Sequence, residues 1–151
     1  MPHESSHEGY LISDDPALLD VGAIQAYLTR SYWAAGIRRE AVERSLQHSL
    51  AVGVYTAAGA QVGLARVVTD YSTFAWLCDV YVLEEHRGKG LSKAVMRAVV
   101  SHPKLQDLRR MRLGTRDAHG LYEQFGFKPL PEPQNQMERR SQAPQPGKEG
   151  K

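Results

Sequence analysis

The run Val80, Tyr81, Val82, Leu83, Glu84, Glu85, His86, Arg87, Gly88, Lys89, Gly90, Leu91, Ser92 decides the fold. Its first four residues end an apolar stretch, Phe74 to Leu83, that reads as a strand. After Gly90, apolar residues fall at Leu91, Ala94, Val95, Ala98 and Val99, the spacing of a helix that presses one stripe onto a sheet. Between them, Gly88 and Gly90 allow the backbone to approach a ligand closely, and the free amides of a helix's first turn attract anions. Arg87 and Lys89 add positive charge to this turn, which is thereby read as a phosphate cradle.

Working outward, two more strand-like runs precede this unit, Leu50 to Thr56 and Gln61 to Thr69, giving an antiparallel meander. Before them come a short β-like run, Tyr10 to Ser13, and two amphipathic helices. The first carries Val21, Ile24, Tyr27 and Leu28; the second spans Arg38 to His48. Downstream, the pattern predicts a strand at Arg110 to Gly114, a helix from Ala118 to Phe125, and weak strands at Lys128 to Leu130 and Gln136 to Arg139. The order is β-αα-βββ-α-β-α-β, an α/β (α+β) class domain. Residues 1–8 read as a flexible N-terminus, 9–140 as the domain, and 141–151, rich in Pro and Gln, as a disordered tail.

Composition narrows the function. Nineteen Lys and Arg against seventeen Asp and Glu leave a formal charge of +2, which argues against nucleic acid or a membrane as the main partner. The single cysteine, Cys78, has no internal disulfide partner, and no Cys/His cluster has zinc spacing, so no metal is expected. With neither a signal-peptide core nor an apolar run of membrane-spanning length, the expectation is a soluble, cytoplasmic protein. A symmetric dimer is the commonest assembly to expect.

Two familiar phosphate motifs fail. A P-loop needs glycine where Leu83 stands and Ser or Thr where Gly90 stands; a dinucleotide fingerprint needs glycine at Lys93. The chain instead resembles the GNAT superfamily of acyl-CoA-dependent N-acyltransferases. That family's Arg/Gln-x-x-Gly-x-Gly/Ala signature is met at Arg87 and Gly90, with Ser92 in place of the last small residue. A second motif, Leu-Tyr-x-x-x-Gly-Phe, is matched by Leu121, Tyr122, Glu123, Gln124, Phe125, Gly126 and Phe127.

The resemblance implies a mixed, mostly antiparallel sheet of six to seven strands flanked by four helices. It implies acetyl-CoA as co-substrate, held by Val80, Tyr81 and Val82 along the pantetheine arm, by the turn Arg87, Gly88, Lys89, Gly90, Leu91 and Ser92, and by Tyr122. The implied reaction moves the acetyl group directly to a primary amine of a small molecule or protein. The alternative is a non-catalytic acyl-CoA sensor or scaffold.

Catalysis needs a neutral amine, a donor to the oxyanion and a proton for the leaving thiolate. By resemblance Tyr122 supplies that proton; the bland use of the same ring is packing against Phe125 and Phe127. Asp79 stands in an otherwise apolar strand, where a carboxylate costs free energy unless paired or functional. Three uses suit it: base, counterion to the substrate ammonium, or partner of Arg66. Asp70 is a weaker substitute. Cys78 reads as a buried thiol rather than a nucleophile, since no histidine stands at a partnering position. Tyr32 and Trp33, at the end of the first helix, either wall the acceptor site or belong to the core. Lys104, Arg109, Arg110, Arg112 and Arg116 form a local basic cluster that suits the 3′-phosphate of coenzyme A, an acidic partner or, most simply, a solvated face.

Overall fold

The fold was derived from a computed structural model that describes residues 1–141. In chain order its elements are β1 (Glu4–His7), β2 (Tyr10–Ser13), α1 (Val21–Leu28), α2 (Arg39–Gln47), β3 (Leu50–Tyr55), β4 (Gln61–Thr69), β5 (Phe74–Val82), α3 (Leu91–Val100), β6 (Arg110–Arg112) and α4 (His119–Glu123). The strands form one six-stranded sheet in sequential order. Every neighbouring pair is antiparallel except β5 and β6, which run parallel.

One apolar cluster lies beneath α3. Leu91, Ala94, Val95, Ala98 and Val99, the stripe read from the sequence, pack there with Val52, Val67 and Leu77. On the opposite face, α1 and α2 bury Ile24, Leu28 and Val42 against Ala51, Leu64 and Tyr81. The sheet is thus covered on both faces, and its β5–β6 margin is left for function.

Two terminal expectations are corrected. Residues 4–7 are not a loose lead-in but strand β1, which pairs with β2 from Glu4↔Ser13 to His7↔Tyr10. Glu8 and Gly9 both have positive φ, 50° and 86°, the conformation a two-residue hairpin turn needs. Polar β1 is held by backbone pairing, by Asp14 Oδ1 accepting from the His3 amide at 2.8 Å, and by Ser13 Oγ donating to Glu4 at 2.6 Å. Asp14 in turn meets buried His102 at 2.7 Å, fastening the hairpin to the end of α3. At the other end, Lys128–Leu130 and Gln136–Arg139 form no strands; a single 3-10 turn, Pro133–Asn135, stands between them. The six strands are therefore reached by a gain at the N-terminus. Of the tail read as disordered, residues 142–151 lie outside the described residues.

Candidate active site

Strands β5 and β6 pair only from Phe74↔Arg110 to Trp76↔Arg112. Beyond Trp76 no ladder joins them, so the outer edge of β5 from Leu77 to Val82 is open to a ligand. Unpaired backbone groups on such an edge can receive an extended chain as an added strand. This is the splay expected around Val80, Tyr81 and Val82.

A bulge shapes the same strand. Leu64 pairs with Tyr81 and Arg66 with Cys78, so Ala65 on β4 faces two residues, Asp79 and Val80, on β5. Asp79 has φ of 53°, left-handed backbone that Asp tolerates better than most residues. The extra residue breaks the alternation. Leu77 and Val82 both join the cluster under α3, while Tyr81 turns to the α1 side and stacks on Tyr27 with ring centroids 4.0 Å apart.

The Asp79 carboxylate is buried and fully engaged. Oδ2 accepts from Arg66 Nε at 2.7 Å and Oδ1 from Trp33 Nε1 at 2.8 Å, and Arg66 also donates to Ser49 Oγ at 3.0 Å. Of the three uses open to Asp79, pairing with Arg66 is thus present. Their side chains are only 17% and 9% exposed for Arg66 and Asp79 respectively, so removal of one charge strands the other. Asp79→Leu is expected to destabilise the fold by about 3 kcal/mol. Asp79→Asn, which keeps an acceptor for Trp33 and tolerates the backbone, should lose less. Urea denaturation midpoints of the two variants check the ranking.

At the phosphate turn, Gly88 and Gly90 adopt φ of 81° and 77°. Gly90 is the residue ahead of α3, and no side chain caps the helix's first-turn amides. Those amides are thereby available to an anion. Lys89 and Ser92 sit on the turn as expected, but the Arg87 guanidinium is spent differently. It folds back to donate to the Val82 carbonyl at 2.9 Å and to Tyr27 Oη at 3.1 Å, fastening the turn to β5 and α1. From the other side, His7 Nε2 bonds the Lys89 carbonyl at 2.8 Å and Tyr10 Oη bonds His86 Nδ1 at 2.7 Å. The N-terminal hairpin therefore braces the turn, a role its polar sequence gave no sign of.

Next to the open edge lies a cleft of about 790 Å³. Tyr32, Trp33, Asp79, Val80 and Tyr122 all line it, bringing together residues far apart in sequence. Tyr32 and Trp33 are 47% and 41% exposed, which places them in the wall of the cleft and not in the core. Tyr122 packs its ring edge-on to Phe127, with centroids 6.0 Å apart, which is the packing use foreseen for it, and the same residue lines the cleft. Burial, with Tyr32 and Asp117 nearby, pushes its phenol up to about 12.

Cys78 also faces the cleft, but burial outweighs the pull of Arg66 and pushes its thiol up to about 11. No histidine lines the cleft. Cys78→Ala is accordingly expected to retain full turnover in a thiol-release assay. Asp70 is occupied in its own loop, accepting from the Ser72, Thr73 and Phe74 amides. Three of the basic cluster's side chains lie over rings: Lys104 on Tyr71, Arg112 on Phe74 and Arg116 on Tyr32.

Sequence reasoning missed Trp76 and Asp117 and read Arg116 only as one of a basic cluster; all three line the cleft. Trp76 stands on the face of β5 opposite Leu77, 41% exposed at the margin of the sheet, and lies against Gly114, where a Cβ would sit 3.8 Å from its indole. Strand alternation was the one signal that marked it for that face.

The family model for the acetyltransferase (GNAT) domain matches residues 46–129, which hold the open edge, the phosphate turn and Tyr122. The chain belongs to the GNAT acetyltransferase family. A Gibberella zeae protein named as a candidate acetyltransferase is 34% identical over 143 residues, covering 80% of each chain. A crystal structure from Xanthomonas campestris pv. campestris, described as a candidate acetyltransferase of the same family, is 48% identical. It superposes with a TM-score of 0.86 over 94% of this chain and 97% of that one. Glucosamine-6-phosphate N-acetyltransferase from Arabidopsis thaliana shares the fold, with a TM-score of 0.62 at 18% identity over 88% of this chain and 99% of that one. Among the described residues of this GNAT chain no group of three His, Cys, Asp or Glu is placed to hold a metal, and no helix is long and apolar enough to cross a membrane.

Proposed function

We propose that this GNAT protein transfers the acetyl group of acetyl-CoA directly to a primary amine. The observation that carries the reading is the continuity of three features: an uncapped, glycine-led helix start, an open strand edge, and a cleft with a phenol in its wall. The first suits a pyrophosphate, the second the amide-bearing pantetheine arm, and the third the reacting end.

Each part of the chain then has a task. Amides of Leu91 and Ser92 hold the diphosphate, with Lys89 beside it. Backbone groups of Val80 to Val82 hold the arm and offer an N–H to the thioester oxygen. The amine nitrogen bonds the acetyl carbon as the carbon–sulfur bond breaks; nitrogen releases one proton to solvent water and the departing sulfur takes one up. Tyr122 is the donor to that sulfur. Asp79, with both oxygens engaged, is assigned to positioning: it fixes Trp33 and Arg66 on the acceptor side.

The test is release of free thiol from acetyl-CoA over aminoglycosides, polyamines, amino acids, arylamines and peptide N-termini. Amine-dependent release with matching acetylated product is the expected result. Tight acetyl-CoA binding without turnover on any amine would overturn the reading in favour of a sensor or scaffold.

A further inference from the structure

The cleft's walls and charges carry information about the acceptor that the phosphate turn does not. Both of the protein's tryptophans, Trp33 and Trp76, line it, each 41% exposed, together with Tyr32. Large exposed rings on a soluble domain are costly unless something covers them. Two of these rings are also held. Trp33 is tied by its indole N–H to Asp79, and Tyr32 accepts from the Arg116 amide at 3.1 Å while the Arg116 guanidinium lies 3.8 Å over its ring. Rigid aromatic walls bind a flat apolar group at little entropic cost.

The charges point the same way. Two carboxylates, Asp79 and Asp117, and two guanidiniums, Arg66 and Arg116, line the cleft. Asp79 is neutralised by Arg66. Asp117 has no ion pair among the described residues, and it is close enough to Tyr122 to help raise that phenol. One carboxylate is therefore open to a cation, and it lies at the reacting end. A polycation such as a polyamine or aminoglycoside would bring further ammonium groups with no second open carboxylate to meet them, and Arg116, which has no ion pair among the described residues, repels them. The cleft, about 790 Å³ in all and shared with the reacting end of the donor, is of small-molecule size.

Resting on the acetyl-transfer reading, we propose that the acceptor is a small aromatic monoamine, its ring seated against Trp33 and Trp76 and its single ammonium directed to Asp117. Trp33, Trp76 and Asp117 are then specificity-determining residues.

Because the tryptophans are themselves the proposed contacts, binding is readable without turnover. Calorimetric titration with coenzyme A comes first and isolates the donor site. Phenethylamine is then titrated against intrinsic tryptophan fluorescence, and kcat/KM is compared for phenethylamine, spermidine and kanamycin. The expected results are saturable fluorescence change with phenethylamine and a kcat/KM at least ~10-fold above either polycation. Trp33→Leu and Trp76→Leu should each raise the phenethylamine KM by ~10-fold, with partial rescue by Phe at either position and no change in the acetyl-CoA KM. Asp117→Asn should raise it by ~3-fold, less at high salt. Coenzyme A binding combined with equal or better turnover of a polycation, or with no fluorescence response to phenethylamine, overturns the acceptor assignment alone. Failure to bind coenzyme A overturns the acetyl-transfer reading and this assignment with it.

Discussion

Gly90→Asp is expected to weaken coenzyme A binding by about 100-fold, the largest single effect any substitution on the phosphate turn should have. Three costs act together. Gly90 sits at φ of 77°, where an L side chain costs about 1 kcal/mol or more. A Cβ there would stand 3.2 Å from His7 Nε2, the atom that bonds the Lys89 carbonyl and braces the turn. Finally, a carboxylate would occupy the space in front of the α3 amides, the proposed place of the diphosphate; after allowance for solvent, that repulsion is worth about 2 kcal/mol. Gly88→Ala separates these costs. Gly88 has similar backbone, φ of 81°, yet nothing lies within 4 Å of its would-be Cβ, and alanine adds no charge. That variant should weaken binding by about 5-fold through strain alone. Calorimetric titration of both variants with coenzyme A is the measurement, and unchanged affinity in Gly90→Asp would falsify the phosphate-cradle reading.

The brace explains what could and could not be read from sequence. The α3 stripe was legible because burial on one face imposes a period that residues 91–99 obey position by position, and β4 was legible because its apolar run is bounded by turn residues at both ends. β1 was not. Glu4, Ser5, Ser6 and His7 bury little, and they form a strand because backbone groups pair with β2 across a Glu8-Gly9 turn. The turn residues were the available signal, and the polar composition hid them. At the C-terminus the opposite error arose, since Lys128 to Leu130 and Gln136 to Arg139 have strand-like patches but no partner edge that they pair with.

In the candidate site, the motifs located the half here assigned to the donor. Gly88, Gly90 and Tyr122 are positions where backbone conformation or a single chemical group is required, so identity alone marks them. The acceptor half depends on which side chains meet across elements. Asp79, Arg66 and Trp33 converge only because a bulge turns β5 and because the segment after α1 passes over the cleft. Trp76, Arg116 and Asp117 come from two separate segments, and neither carries a motif. The bulge deserves its place beside the motifs as a determinant of the site: it releases the β5 edge from regular alternation and sets Asp79 between its two donors.

The last expected result concerns proton delivery. Tyr122→Phe should lower kcat by roughly 10–100-fold while leaving coenzyme A affinity unchanged. The bound on that effect comes from the phenol itself. Pushed up to about 12 by burial, Tyr32 and Asp117, it is a weaker acid than a thiol near 8.5. Complete transfer to the thiolate in advance of bond cleavage would therefore run uphill by about 5 kcal/mol. Tyr122 instead contributes by donating a hydrogen bond that strengthens as charge develops on sulfur, which is worth less than full general-acid catalysis. The sign of the shift gives a second, sharper check. A raised value keeps the hydroxyl protonated, so the donor form persists throughout the neutral and mildly alkaline range. The kcat profile should rise as the amine loses its proton and show no descending limb below about pH 10. A downturn between pH 8 and 9 that survives in Tyr122→Phe would assign the proton to another group, and equal kcat in the two proteins would reduce Tyr122 to its packing against Phe127.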